Sequence, residues 1–137
     1  MSAAITSVSG SSEVFEMGVC SYANRIKQDV LGVSVQALEK FGAVSEQVAE
    51  EMAQGVMKCS GSDFGVSTTG IAGPTGGTEE KPVGTVWIGV CSKGSCHAER
   101  FLFGTDGCPD GLTEREYIRR QAVCKALELL YTEIEKS

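Results

Sequence analysis

The chain has 137 residues, of which 42% are apolar, and 18 acidic against 12 basic side chains leave a net charge of -6. That length is one domain's worth, and the acidic balance is the wrong sign for counterion-driven binding to nucleic acid or to an anionic membrane surface. No apolar run approaches the roughly 18 residues of a membrane span, and MSAAITSVSGSS lacks the regions of a signal peptide, so a soluble, cytoplasmic protein is expected.

Val14 to Tyr22, VFEMGVCSY, sets Phe15, Met17 and Val19 on one side at period two, which predicts a strand with one packed face. From Gln28 a short apolar knot (Val30, Leu31, Val33) leads to Ser34, which can cap a helix running to Phe41 and stopped by Gly42. Ser45 opens a second helix in which Val48, Ala49, Met52, Val56 and Met57 recur at helical spacing. Asp63 to Thr68 reads as a short strand entering a glycine-rich loop. Val83 to Cys91, VGTVWIGVC, is apolar on both faces and β-branched, the pattern of a central strand. SKGS at 92–95 is a turn, and Cys96 to Phe103 is the second arm of its hairpin. Thr113 and Glu116 form a T-x-x-E capping box before a long helix with Ile118, Ala122, Ala126 and Leu129 or Leu130 on its buried stripe. Helices and strands mix, so the fold class is α/β, three layers around one sheet in a single domain.

Six cysteines, at 20, 59, 91, 96, 108 and 124, form no CxxC pair, and the domain is large enough not to need staples. They are expected as reduced, mostly structural thiols. The one histidine, His97, has no ligand pair at finger-like spacing and reads as a strand residue, so no metal site is expected.

Chemistry is concentrated in two places. STTGIAGPTGGTEEKPVGTVWIGV, Ser67 to Val90, gathers glycines between two strands, where backbone N–H groups can turn toward a ligand. Gly70, Gly73, Gly76 and Gly77 are the candidates. The loop matches neither a Walker A nor a dinucleotide fingerprint, and a tight surface connection is an equal reading by composition. Earlier, Gly10-Ser11-Ser12 precedes the first predicted strand and YANRIK follows it. A serine nucleophile (Ser12), a lysine base made neutral by burial (Lys27) and a proton-relaying tyrosine (Tyr22) would make one economical scheme, against solvated Ser12 and Lys27 with Tyr22 as an ordinary strand-end aromatic. A nine-residue strand spans about 30 Å, so Ser12 and Lys27 would meet only if the chain bends.

The strings TGIAGPTGGTEEKPVGTVWIGV at 69–90, GSSEVFEMGVCSYANRIKQDVLGV at 10–33 and FGAVSEQVAEEMAQG at 41–55 together closely resemble the CinA C-terminal domain family, the competence-damage-inducible proteins that include nicotinamide mononucleotide deamidase. The resemblance runs from about Ala3 to the last helix. It implies a three-layer α/β/α sandwich around one mixed sheet, and hydrolysis of the carboxamide of nicotinamide mononucleotide to nicotinic acid mononucleotide and ammonia. It further implies Ser12 as nucleophile, Tyr22 and Lys27 as its partners, and Thr69 as a hydrogen-bonding group at the loop entrance. Arg115, ahead of RRQA, matches an arginine placed on the substrate phosphate or carboxamide. No cofactor is called for, and the partner is a small pyridine nucleotide.

Against the family pattern the chain reads as amino-terminally shortened, without a strand and an AESCTGG-like segment, Met1-Ser2 leading into what reads as the tail of a helix. An open sheet edge and a homo-oligomer, with a dimer favoured, are therefore expected. The GTDGCPDG stretch, 104–111, is longer than the family's usual link. The alternative reading is a catalytically degenerate nucleotide-binding or interaction module of the same fold.

Overall fold

A computed structural model describes residues 1–137. The elements are α1 (Ser2–Thr6), α2 (Asn24–Leu31), α3 (Val35–Phe41), α4 (Glu46–Ser60), β1 (Phe64–Gly70), β2 (Thr85–Ser92), β3 (Cys96–Leu102) and α5 (Glu114–Lys136), with a 3₁₀ turn at Ser11–Glu13.

The three strands form one sheet in the order β1-β2-β3. Its faces sort by residue parity. On one face Ser67 Oγ donates to the Ala49 carbonyl oxygen at 2.6 Å, and a Cβ on Gly89 would collide with that same oxygen, so α4 lies on the face formed by the odd-numbered positions of β1 and β2 and the even-numbered positions of β3. On the other face Val86 and Ile88 pack with Ala122 and Ala126 of α5. The layers are therefore α4, sheet, α5, as expected for an α/β/α sandwich. β2 is central and almost wholly buried, with Ile88 and Val90 fully so. Each such side chain contributes about 1.5–3 kcal/mol of apolar burial.

The sheet differs from expectation in one respect: both pairings are antiparallel rather than mixed. The physical reason is connectivity. A parallel neighbour needs a crossover that returns the chain to the starting edge, whereas β1–β2 are joined by a loop without a helix and β2–β3 by the tight 92–95 turn.

The helix caps follow the sequence. Ser34 Oγ accepts from Ala37 N at 3.1 Å, Ser45 Oγ accepts from Val48 N at 3.4 Å, and Thr113 and Glu116 complete a reciprocal box at the start of α5.

Three expectations need correction. Residues 14–22 form no strand. Phe15, Met17 and Val19 are half-buried and alternate with exposed neighbours, so the period-two signal reports one-sided burial truthfully, but no ladder partner lies beside the segment. The apolar knot after Gln28 is the end of a helix, α2, whose inward positions are Lys27 and Leu31; a lysine at an inward position hid the helical stripe. Finally, Cys91 and Cys96 stand directly opposite in the β2–β3 register and are joined by a disulfide, leaving Cys20, Cys59, Cys108 and Cys124 free. A four-residue hairpin turn makes neighbours of cysteines that no CxxC search pairs.

The amino-terminal segment wraps from one face to the other. Met1 packs into the cluster under α5, while Val19 packs against the cluster formed by Leu31, Val33, Leu38, Val48 and Met52 on the α4 side. No helix is long and apolar enough to cross a membrane.

Candidate functional site

Lys27 is the most unusual side chain in the chain. It sits in the middle of α2, is only 6% exposed, and its Nζ donates to a single acceptor, the Ser21 carbonyl oxygen, at 2.8 Å. Burial without a carboxylate partner penalises the ammonium form and lowers its pKa from the ordinary lysine value, while the charge of nearby Cys20 opposes the shift in part. A lysine held this way gives up its proton more readily than a solvated one.

No hydrogen bond joins it to its expected partners. Ser12 is exposed on the 3₁₀ turn and its hydroxyl makes no hydrogen bond within the chain. Tyr22 is 82% exposed, and its hydroxyl makes no hydrogen bond within the chain. No side-chain hydrogen bond joins any two of Ser12, Tyr22, Lys27 and Thr69.

The glycine loop is held as a unit at the end of the sheet. Thr69, buried at the end of β1, donates through Oγ1 to the Ala43 carbonyl oxygen at 2.7 Å, tying the loop entrance to the link between α3 and α4. Gly73 is buried with φ +76°, a conformation that favours glycine, and its carbonyl accepts from Arg115 Nη1 at 2.7 Å. The returning arm is fastened by Lys81 Nζ, which donates to the Phe41 carbonyl oxygen at 2.8 Å, and by Arg100 Nη2, which donates to the Glu80 carbonyl oxygen at 3.0 Å. Gly70 is the last residue of β1, and Gly76 and Gly77 are exposed. The amide N–H groups of Gly73, Gly76 and Gly77 donate to no acceptor in the chain, so they remain available to an anion.

Thus the structure brings together Thr69, the glycine loop and Arg115, and separately gathers Cys20, Ser21 and Lys27. The two groups border one apolar cluster, through Leu31 and Val19 on one side and Ala43 on the other. Sequence reasoning missed Lys81, Trp87 and Arg100 as loop neighbours. Trp87 stands opposite Thr69 on β1 and opposite Arg100 on β3, a row that only the strand register reveals.

A cavity of about 840 Å³ lies at the far end of the molecule, between the β2–β3 turn and the end of α5, and none of the predicted site residues lines it. A second, of about 320 Å³, lies beside the loop's returning arm. No cluster of three or more His, Cys, Asp or Glu side chains is arranged to hold a metal ion.

A glycine loop clamped across the end of the sheet completes a three-layer α/β/α sandwich. The family model of the CinA C-terminal domain matches residues 1–134, and the chain belongs to that family. Among curated relatives it is 47% identical over 129 residues to a CinA-like protein of Nostoc, covering 92% of this chain and 30% of that protein. It is 54% identical over 102 residues to a CinA-like protein of Salinibacter ruber, covering 74% of this chain and 25% of that one. The chain thus spans less than a third of the curated relatives it matches. Among solved structures it superposes with TM-score 0.87 on the competence/damage inducible protein CihA of Agrobacterium tumefaciens, at 39% identity, covering 96% of this chain and 76% of that one. A CinA superfamily protein of Escherichia coli gives TM-score 0.84 at 31% identity, covering 95% and 71%.

Proposed function

We propose that the chain is a cytoplasmic amidohydrolase that converts nicotinamide mononucleotide to nicotinic acid mononucleotide and ammonia by a Ser-Lys mechanism. The observation that carries the reading is Lys27, buried, unpaired with any carboxylate and lowered in pKa, in a chain that keeps the GSS and YANRIK motifs of its family.

In this reading Ser12 Oγ attacks the carboxamide carbon while its proton passes to neutral Lys27 Nζ. The tetrahedral intermediate collapses as Lys27 returns the proton to the departing nitrogen, releasing ammonia and leaving an ester on Ser12. Water, deprotonated by the same lysine, then frees the carboxylic acid. Loop amides around Gly73, Gly76 and Gly77 hold the anionic part of the substrate, Arg115 fixes the loop, and Thr69 orients its entrance. Tyr22 serves from the solvent side. Association into a homodimer, which the unpaired outer edge of β1 invites, would cover the exposed Ser12.

A second reading is favoured by one observation, the absence of any hydrogen bond between Ser12 and Lys27: a nucleotide-binding or interaction module without turnover. Ammonia release from nicotinamide mononucleotide by the purified chain, with Ser12→Ala alongside, separates the two. Serine-dependent release supports the amidase, and its absence in a folded protein supports the module.

A further inference from the structure

Cys91 and Cys96 close the β2–β3 ladder at its turn end. Ser92 N donates to the Ser95 carbonyl oxygen at 2.7 Å, so 92 and 95 are a hydrogen-bonded pair and the cysteines next to them occupy a non-hydrogen-bonded position, where facing side chains come closest. Register alone thus brings the two sulfurs together. They differ in access. Cys91 is fully buried under α4, whereas Cys96 is exposed on β3. An incoming thiolate therefore meets the Cys96 sulfur, and Cys91 is the leaving group.

Two features fit the opened pair as well as the closed one. The Glu50 carbonyl oxygen of α4 lies 3.7 Å from Cys91 Sγ and 3.8 Å from Cys96 Sγ. A disulfide has no hydrogen to give it, but a thiol does, so the S–H created on the buried side finds an acceptor already in place. The turn also has other fastenings: Ser92 Oγ donates to Glu133 Oε1 at 2.8 Å, which holds the end of β2 to α5, and Lys93 pairs with Asp63 at 2.6 Å. Breaking the sulfur bond leaves these in place. A staple that only stabilises needs neither an exposed sulfur nor a waiting acceptor.

We infer that Cys91 and Cys96 form a reversible dithiol–disulfide couple, opened by small dithiols and closed by small disulfides through the sulfur of Cys96. In opening, one thiolate of the dithiol bonds to Cys96 Sγ, the Cys91–Cys96 bond breaks, and its electron pair leaves on Cys91 Sγ, which takes up a proton. The second thiol then displaces Cys96, so the reagent departs as its own disulfide and the chain holds two thiols. Closing runs through a mixed disulfide on Cys96, which the Cys91 thiolate attacks. The couple involves neither Lys27 nor the glycine loop, so it stands apart from the amidase reading.

Native protein is treated with dithiothreitol, or reduced, freed of reductant and given oxidised glutathione, and is then alkylated. Cleavage after Lys93 puts the two cysteines on separate peptides, which mass spectrometry reads. Both thiols are expected to appear under dithiothreitol without urea and with the circular dichroism of the fold unchanged, and the disulfide to return with oxidised glutathione. Cys91→Ser is expected to retain glutathione on Cys96 at least about tenfold more than Cys96→Ser retains it on Cys91. A pair that opens only in urea is a buried staple, and one that stays as thiols in oxidised glutathione is a packed pair; either result overturns the couple. Equal glutathione on both cysteines, or loss of the folded dichroism on reduction, does so too. The unsubstituted chain carries the opening and closing tests even where a serine variant fails to fold.

Discussion

Arg115, in the first turn of α5, donates to the carbonyl oxygen of Gly73 at 2.7 Å across 42 positions of sequence. With Lys81 bound to the Phe41 carbonyl, this contact clamps the glycine loop between the α5 and α4 layers, one fastening on each side of the sheet. Arg115→Ala removes a charge-assisted hydrogen bond from a part-buried carbonyl. The expected result is a KM for nicotinamide mononucleotide raised about tenfold with a smaller change in kcat, and faster hydrogen exchange in residues 72–78. Equal losses in kcat and kcat/KM would instead put Arg115 in the chemical step.

Lys27 makes stability depend on pH with a definite sign. Its folded-state pKa is lowered by burial, so the unfolded chain binds the extra proton between that lowered value and about 10.4, the value of a free lysine. Stability therefore rises with pH through this window, and below it the full penalty of burying the ammonium is present. Urea midpoints measured from neutral to alkaline pH should show Lys27→Met more stable than the parent at the low end, with the difference closing as pH climbs. In the amidase reading the same titration sets the acid limb of turnover, which should fall below the free-lysine value.

Gly55 lies where α4 crosses the end of α2. A Cβ there would land on the carbonyl oxygen of Leu31, one helical turn beyond Lys27, and backbone has no rotamer with which to move aside. Gly55→Ala is expected to cost about 3 kcal/mol in urea unfolding, although alanine is the better helix former. A neutral or stabilising result would mean that α2 shifts freely on α4.

Tyr22 is so exposed that Tyr22→Phe should change stability by no more than about 0.5 kcal/mol and turnover by about twofold. A loss of a hundredfold would mean that the hydroxyl is drawn into the site by association, a result that light scattering at the assay concentration would corroborate.

The thiol inventory is countable. Denatured without reductant, the chain should titrate four thiols, those of Cys20, Cys59, Cys108 and Cys124, and six after reduction. Six without reduction would show Cys91 and Cys96 as a facing pair of thiols in the isolated protein.

Much of this protein was determined by local sequence. Ser34, Ser45 and Thr113 mark the starts of α3, α4 and α5 because a hydroxyl three residues before an unpaired amide is a short-range interaction. The continuous apolar run of β2 announced a strand buried on both faces, and the GSS, YANRIK and TGIAGP strings carried the family. What the tertiary structure alone decided concerns partners distant in sequence. Alternation at 14–22 states which side of an extended chain is wet, but a strand also needs a neighbour, and pairing is not written in the segment itself. Lys27 reads as a polar position until α2 packs against α4 and turns it inward, where loss of water changes its proton affinity. Cys91 meets Cys96, and Trp87 falls between Thr69 and Arg100, only once the strand register is fixed, because a one-residue slip would turn each to the opposite face.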